Sequence, residues 1–197
     1  MIFDFSKEYK LENERVVLEP LEEKHLKELE SFAEEKEIWT YFLGASDGSG
    51  DFKKYVQDAI ASRKKKDHYA FAVFDKKENR YSGCTRFFGF DLRLDIVRVG
   101  YTWYGKEFRG TGLNKNCKYL MFQFAFEHLL AERVGLGAHE ENKVSIAAMK
   151  SVGAIEEGVI RNAFPSIHNE GRADAVLLGI IKEEWFQTIK NNLNQRL

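Results

Sequence analysis

Residues 97–130 constrain the fold of this chain more than any other segment. They begin with a run of β-branched and aromatic side chains over residues 97–103, which is typical of a strand. A loop with two glycines, Arg109-Gly110-Thr111-Gly112, follows the strand. Beyond the loop, apolar residues recur at three- and four-residue spacing and predict an amphipathic helix of about four or five turns. These residues are Leu113, Cys117, Leu120, Met121, Phe124, Ala125 and Leu129.

A strand, a glycine loop and a helix in this order predict an anion site. The first N–H groups of a helix have no partner within the helix, and the helix start carries about half a positive charge. The loop lacks the Gly-x-x-x-x-Gly-Lys-Ser/Thr pattern of a P-loop, and it lacks the third glycine of a dinucleotide-binding fingerprint. A turn in which the glycines only supply positive φ is the alternative.

Composition favours one globular domain, residues 1–197, of α/β or α+β type with a full core. The chain is 44% apolar, and its net charge of −1 gives no sign of nucleic-acid or membrane binding. No run of residues approaches the length of a membrane span, and the first ten residues lack the apolar stretch of a signal peptide. Two cysteines, Cys84 and Cys117, fit a reduced cytoplasmic protein, and the spacing of cysteines and histidines predicts no metal site.

The rest of the chain alternates strand-like and helix-like segments. Pro20 ends the first predicted strand, and we expect Asp51 to cap a helix. Strands are predicted at 15–21, 68–74, 81–88, 133–138, 155–162 and 175–181, a turn at 169–174, and helices at 22–33, 51–66, from 143 and from 183. The apolar residues at 38–42 precede a glycine-rich segment, 44–50.

Four motifs in order resemble the GNAT superfamily of acetyl-CoA-dependent N-acetyltransferases. They are RGTGLN at 109–114, ENKVS at 141–145, VGAIEEGVIR at 152–161 and EEW at 183–185. The first is similar to the family's Arg/Gln-x-x-Gly-x-Gly/Ala motif, with Asn114 where glycine or alanine is usual. Asn114 is larger than either, but its side chain can serve as a helix N-cap. The third resembles the branch of Rim-type ribosomal-protein N-acetyltransferases. Together the similarity covers residues 15–185.

The resemblance implies the GNAT fold, an α/β (α+β) architecture. We therefore expect a mixed, mostly antiparallel twisted sheet of about seven strands, with helices on both faces and a splayed central strand pair. It also implies acetyl-CoA as co-substrate. The residues implied to bind it are Gly110, Thr111, Gly112, Leu113 and Asn114 through the pyrophosphate, Arg109 through its charge, Tyr101, Thr102 and Trp103 through backbone pairing with pantetheine, and Asn142 from the other side. Asn142 is equally suited to cap the helix that begins at Lys143, and both roles are compatible.

For catalysis, the resemblance implies direct transfer of the acetyl group to a primary amine. Ser145 is the candidate that protonates the leaving thiolate, or it is an ordinary first-turn helix residue. Glu140 is the candidate base, with His139 and Asp91 as further candidates, and the residues themselves do not decide among them. The Rim-like motif favours a protein N-terminal amine, while a small amine stays open. Residues 38–42 either line the acceptor site or form a hydrophobic cluster beneath a surface loop.

Two other functions stay open at this point. One is a non-catalytic module that binds or senses acyl-CoA, and the other is a nucleotide-phosphate binder unrelated to CoA. The 14% aromatic content permits a homodimer but does not require one.

Overall fold

A computed structural model describes residues 1–42, 52–167 and 170–197. The glycine-rich segment at 44–50, the predicted cap Asp51 and Asn169 of the predicted turn lie outside the described residues. Within the described ranges, no helix is both long enough and apolar enough to cross a membrane.

One mixed sheet of eight strands forms the centre of the molecule, in the order β1-β2-β3-β4-β5-β6-β8-β7. All neighbouring pairs are antiparallel except β5 and β6, which are parallel. The strands are β1 (Leu11–Glu12), β2 (Val16–Pro20), β3 (Tyr69–Asp75), β4 (Arg80–Asp91), β5 (Ile96–Tyr104), β6 (Arg133–His139), β7 (Ile155–Pro165) and β8 (Arg172–Ile181). The expected mixed, mostly antiparallel sheet is confirmed. The structure has one strand more than the seven expected. The additional strand is β1, which has only two residues and is therefore too short to show an alternating pattern.

The helices are α1 (Leu26–Leu29), α2 (Lys36–Trp39), α3 (Phe52–Lys64), α4 (Leu113–Gln123), α5 (Lys143–Ser151), α6 (Lys182–Glu184) and α7 (Lys190–Asn194). Residues 22–33, predicted as one helix, form α1 between two 3₁₀ turns, Glu23–His25 and Glu30–Phe32. The predicted helix after the glycine loop continues past α4 as a π-helical turn, Phe124–His128, so its predicted length is confirmed.

Both faces of the sheet are packed. On one face, the apolar stripe of α4 is fully buried at Leu113, Cys117 and Met121. On the other, Trp39 packs against Trp103 with ring centroids 5.7 Å apart, and the Trp103 indole N–H donates to the hydroxyl of Tyr55 at 3.0 Å. Of the apolar residues at 38–42, Ile38 and Trp39 are buried, so this part of the segment is core.

The parallel pair at the centre of the sheet opens after three rungs. Residues 96–98 of β5 pair with residues 133–135 of β6, and the described strands separate beyond that point. On its other edge, β5 carries a bulge against β4, because Tyr101 and Thr102 together lie opposite Thr85. Tyr101 takes a positive φ of 50°, which turns the strand at that point. The splayed central pair expected from the resemblance is confirmed.

Candidate functional site

The glycine loop leads directly into α4. Gly110 and Gly112 have φ values of 74° and 88°, a conformation that favours glycine, and an added Cβ at either would meet no heavy atom within 4 Å. Gly112 is the N-cap residue, so Asn114 does not take the capping role that its side chain allows. Asn114 lies in the first turn and accepts a hydrogen bond from the Tyr104 hydroxyl at 3.2 Å. The N–H of Lys115 bonds back to the Gly112 carbonyl at 3.0 Å, so the N–H groups before it, at 112–114, are the ones that helix geometry leaves for a ligand.

Side chains beneath the loop hold it in place. Asn116 is only 4% exposed, and its amide N–H donates to the Gly112 carbonyl at 3.2 Å. The Asn116 carbonyl oxygen accepts from the Asn13 side chain at 2.9 Å, which ties the start of α4 to the turn between β1 and β2. Thr111 donates its hydroxyl to the Phe108 carbonyl at 2.7 Å. The loop is therefore preorganised by polar contacts to its neighbours.

Arg109 is part of this scaffold. Its Nε donates to the Tyr104 carbonyl at 2.9 Å, and its Nη2 contacts Glu35 Oε2 at 3.1 Å. Glu35 also accepts from the Lys106 N–H at 2.9 Å. Because Glu35 offsets the charge of Arg109, the backbone amides and the helix start remain as sources of positive potential at the loop.

The bulge of β5 is supported from the α4 side by a buried lysine. Lys118 Nζ donates to the Thr102 hydroxyl at 2.8 Å, and that hydroxyl shares a 2.8 Å hydrogen bond with Thr85. Lys118 is 4% exposed, and burial away from water lowers its pKa to about 8. The sequence interpretation missed this residue, although it lies on the same side of the helix as Phe122 and Ala125, which are both buried.

Asn142 lies at the start of α5, three residues beyond the end of β6. Its side-chain oxygen accepts the Ser145 N–H at 3.0 Å, so the predicted capping role is confirmed. With that oxygen engaged, the amide N–H donors are the groups that Asn142 can offer to a ligand. Ser145 is half-buried, in the first turn of α5.

The candidate bases all make hydrogen bonds to the backbone. Glu140 Oε1 accepts the Asp174 N–H at 2.7 Å, and Asp91 Oδ1 accepts the N–H groups of the turn that follows it. His139 is 4% exposed; its Nδ1 accepts the Glu141 N–H at 3.2 Å, and its Nε2 lies 3.0 Å from the Pro165 carbonyl. These two contacts fix the neutral tautomer with the proton on Nε2.

A second group of residues that the sequence interpretation missed lies on the face opposite α4. Arg86 is 5% exposed and stacks between the rings of Tyr55 and Tyr101, with 4.7 Å from the guanidinium carbon to each ring centroid. His68 contacts the Tyr101 ring, with centroids 5.1 Å apart. A sequence signal exists, because Arg86 alternates with Cys84 and Phe88 on a strand whose even positions face this side.

Three comparisons with known proteins agree with this geometry. The family described as "Acetyltransferase (GNAT) domain" matches residues 15–155. The protein of Bacillus subtilis (strain 168) named "Putative ribosomal N-acetyltransferase YdaF" is 33% identical over 89 residues, 45% of this chain and 47% of YdaF, so the match spans about half the length of that relative.

Solved structures share the fold over nearly the whole chain. A GCN5-related N-acetyltransferase from Brucella melitensis superposes with a TM-score of 0.84 at 22% identity, covering 96% of this chain and 85% of the other. The microcin C7 self-immunity acetyltransferase MccE, solved with acetyl-CoA and AMP, gives a TM-score of 0.72 at 19% identity, covering 86% and 93%. Because the family match runs from the first long strand to the start of β7, the chain belongs to the GNAT acetyltransferase family.

Proposed function

We propose that this protein transfers an acetyl group from acetyl-CoA directly to the amine of an acceptor within one ternary complex. The observation that carries the proposal is the juxtaposition of two features on α4 and β5. The loop at 110–114 leads into α4, and helix geometry leaves its N–H groups at 112–114 for a ligand. The opening lies along β5, the strand that precedes the loop. An elongated molecule with a diphosphate at one end matches both features.

The backbone at 110–114 binds the diphosphate in this proposal. The backbone of Tyr101, Thr102 and Trp103 pairs with the pantetheine arm along the opened edge of β5, and Asn142 donates an amide N–H from the other side. The bulge, held by the contact between Lys118 and Thr102, fixes the direction of the strand edge where the thioester lies.

In the transfer step, the lone pair of the neutral amine attacks the thioester carbonyl, an N–C bond forms and the C–S bond breaks. The amine loses one proton and the leaving thiolate gains one. Ser145 is our candidate donor of the second proton. Glu140 is our candidate base that accepts the proton of the amine. One of its carboxylate oxygens accepts the Asp174 N–H, and the other can accept this proton.

The acceptor class follows from the relatives only as a proposal. YdaF carries a ribosomal N-acetyltransferase name, which favours a protein N-terminal amine as acceptor here. Such an amine has an ordinary pKa near 8 and needs little help to lose its proton, which suits a site whose candidate bases are tied to the backbone. A module that binds acyl-CoA without turnover is the second candidate, favoured by those same hydrogen bonds at Glu140, His139 and Asp91.

Release of free thiol from acetyl-CoA in the presence of N-terminal peptides and small amines tests the proposal. We expect turnover with at least one amine, and thermal stabilisation that is larger with CoA than with ATP, because the pantetheine arm adds contacts. Stabilisation by CoA without thiol release from any amine would favour the binding module. Equal stabilisation by CoA and ATP would refute the assignment of the opening to pantetheine.

A matched pair of glycine variants tests the loop. Gly112→Ala places a Cβ at a φ of 88°, and Gly171→Ala does so at a φ of 103° in the hairpin between β7 and β8. Neither Cβ would meet a heavy atom within 4 Å, so both changes impose backbone strain alone. We expect Gly112→Ala to weaken CoA binding about tenfold or more, and Gly171→Ala to leave it unchanged. Equal effects would show that strain, and not the loop amides, decides affinity.

A further inference from the structure

Arg86 is a buried cation whose guanidinium is not fully paired within the described residues. Its side chain lies between two tyrosine rings, and its Nε has no hydrogen-bond partner among the described residues. Its Nη1 has a long contact, 3.5 Å, with His68 Nδ1. Stacking on aromatic rings offsets part of the cost of burying a guanidinium, but it does not satisfy N–H donors in the guanidinium plane.

No carboxylate of the described part of the chain forms an ion pair with Arg86. His68, which contacts Arg86, is followed on its other side by the carboxylate of Asp67. Asp67 Oδ2 lies 3.5 Å from His68 Nε2, and the Asp67 side chain is 65% exposed. The His68 ring separates Asp67 from the guanidinium. Burial lowers the pKa of His68 and outweighs the opposing effect of Asp67, and Arg86 lowers that pKa further. The ring is therefore neutral near pH 7, and its Nδ1 can accept a hydrogen bond from Arg86.

A second arginine lies on the same face, at the opening between the central strands. The Arg98 guanidinium carbon lies 5.1 Å from the centroid of the Phe88 ring. Its Nη2 would be 3.1 Å from a Cβ added at Gly137, which places the charge alongside β6 where that strand leaves β5. Within the described residues, none of the ion pairs involves Arg98.

In the proposed transfer, the acceptor approaches the thioester beside these two arginines. Arg98 is the last residue of β5 that pairs with β6, and Tyr101, which covers Arg86, follows three residues later. Tyr101 is 37% exposed, and the His68 side chain is 17% exposed, so both are accessible above the buried guanidinium. The proposed thioester lies along this same edge of β5.

From this arrangement we infer that the acceptor carries a carboxylate close to its amine, and that Arg86 and Arg98 bind this carboxylate. The inference rests on the proposed acetyl transfer. A guanidinium suits the task because its planar donors match the two oxygens of a carboxylate. Polyamine acceptors are disfavoured, because further ammonium groups would lie beside two cations. The carboxylate is either that of a free amino acid or an acidic side chain at the N-terminus of a protein.

Matched acceptor pairs that differ in one carboxylate test the inference. The first pair is L-glutamine and L-glutamine amide, which differ only in the α-carboxylate; the second is two peptides that begin with Asp and with Asn. Calorimetry in the presence of CoA measures affinity without turnover, and thiol release from acetyl-CoA measures transfer. We expect the acid of at least one pair to bind about tenfold more tightly than its neutral partner. The pair that shows the difference identifies the source of the carboxylate.

Variants assign the effect to the arginines. Arg86→Met should remove the preference while acetyl-CoA affinity stays within about twofold, Arg86→Lys should keep part of it because the charge remains, and Arg98→Met should reduce it. Arg63→Met is the control, because Arg63 also stacks on a tyrosine ring, at 4.8 Å from Tyr69, but donates to the Phe5 carbonyl at 3.1 Å. This control should leave the preference unchanged.

The outcomes separate the two claims. Thiol release with no preference for the acids, or a preference that survives both Arg86→Met and Arg98→Met, overturns the inference and leaves the acetyl transfer standing. A carboxylate preference in calorimetry that depends on Arg86, without thiol release from any amine, supports the anion site and refutes the transfer.

Discussion

Lys118 provides a test of how much a buried charge lowers the stability of this fold. The residue is 4% exposed, and its ammonium donates to the Thr102 hydroxyl beneath the bulge of β5. No carboxylate among the described residues pairs with it. Replacing it with methionine keeps most of the side-chain volume and removes the charge, so Lys118→Met is the informative substitution.

The pKa of Lys118 sets the size of the effect. Burial lowers it from the ordinary 10.5 to about 8. At ~1.4 kcal/mol per tenfold change, this drop means that the charged form costs the folded state about 3 kcal/mol near neutral pH. Lys118→Met removes this cost, but it also removes the hydrogen bond to Thr102, which contributes about 1 kcal/mol to stability. We therefore expect Lys118→Met to raise the free energy of unfolding by about 2 kcal/mol near neutral pH.

The pH dependence has a definite sign. Because the pKa is lower in the folded state, the folded protein binds fewer protons than the unfolded chain between about pH 8 and 10.5. The cost of the buried charge is therefore fully present below about pH 8, and it is relieved as the pH rises toward 10.5. The advantage of Lys118→Met should shrink to near zero by about pH 10.

Urea unfolding of the wild type and the variant at a series of pH values measures this difference. Lys53→Met is the control, since Lys53 lies on the exposed side of α3 and keeps its ammonium in water in both states. A Lys118→Met variant that is less stable than the wild type near neutral pH, or a difference that does not change between about pH 7 and 10, would refute the reasoning.

Three further predictions concern other parts of the fold. Asn142→Ala should lose about 1 kcal/mol with its cap and also weaken acetyl-CoA binding, whereas Asn142→Asp should keep the cap but lose the amide donors, so unfolding and calorimetry together separate the two roles. Asn116→Ala should destabilise the chain by about 1–2 kcal/mol and raise the KM for acetyl-CoA, because it breaks the link from Asn13 to the Gly112 carbonyl. Trp185→Ala should cost about 3–5 kcal/mol in urea unfolding without a comparable change in KM, because the ring is fully buried against Phe126.

Much of the fold was predictable because it depends on local patterns. The stripe from Leu113 to Leu129 has the period of a helix, and it is buried as predicted. Asn142 precedes a short helix and caps it, as its side chain favours. The prediction of a single helix at 22–33 was wrong. Leu29 and Phe32 are buried, and the segment reaches this packing through α1 and the two 3₁₀ turns around it.

The charged residues of the site were harder to predict. Lysine and arginine are usually solvent-exposed, so the pattern around Lys118 and Arg86 is only a weak signal that they are buried. Their burial depends on contacts between distant segments, such as Arg86 with Tyr55. The positive φ of Tyr101 was equally hidden, since it arises from the two-against-one pairing of β5 with β4.

The short parallel pairing of β5 and β6 has a mechanical consequence. The sheet consists of two groups of strands, β1 to β5 and β6 to β8. They are joined by the three residue pairs of residues 96–98 with residues 133–135. A molecule bound between the facing edges of β5 and β6, their inner margins, would act as a temporary ninth strand and resist the separation of the two groups. Occupancy of the gap should therefore slow deuterium uptake along the whole inner margin of β5, well beyond the residues that it touches.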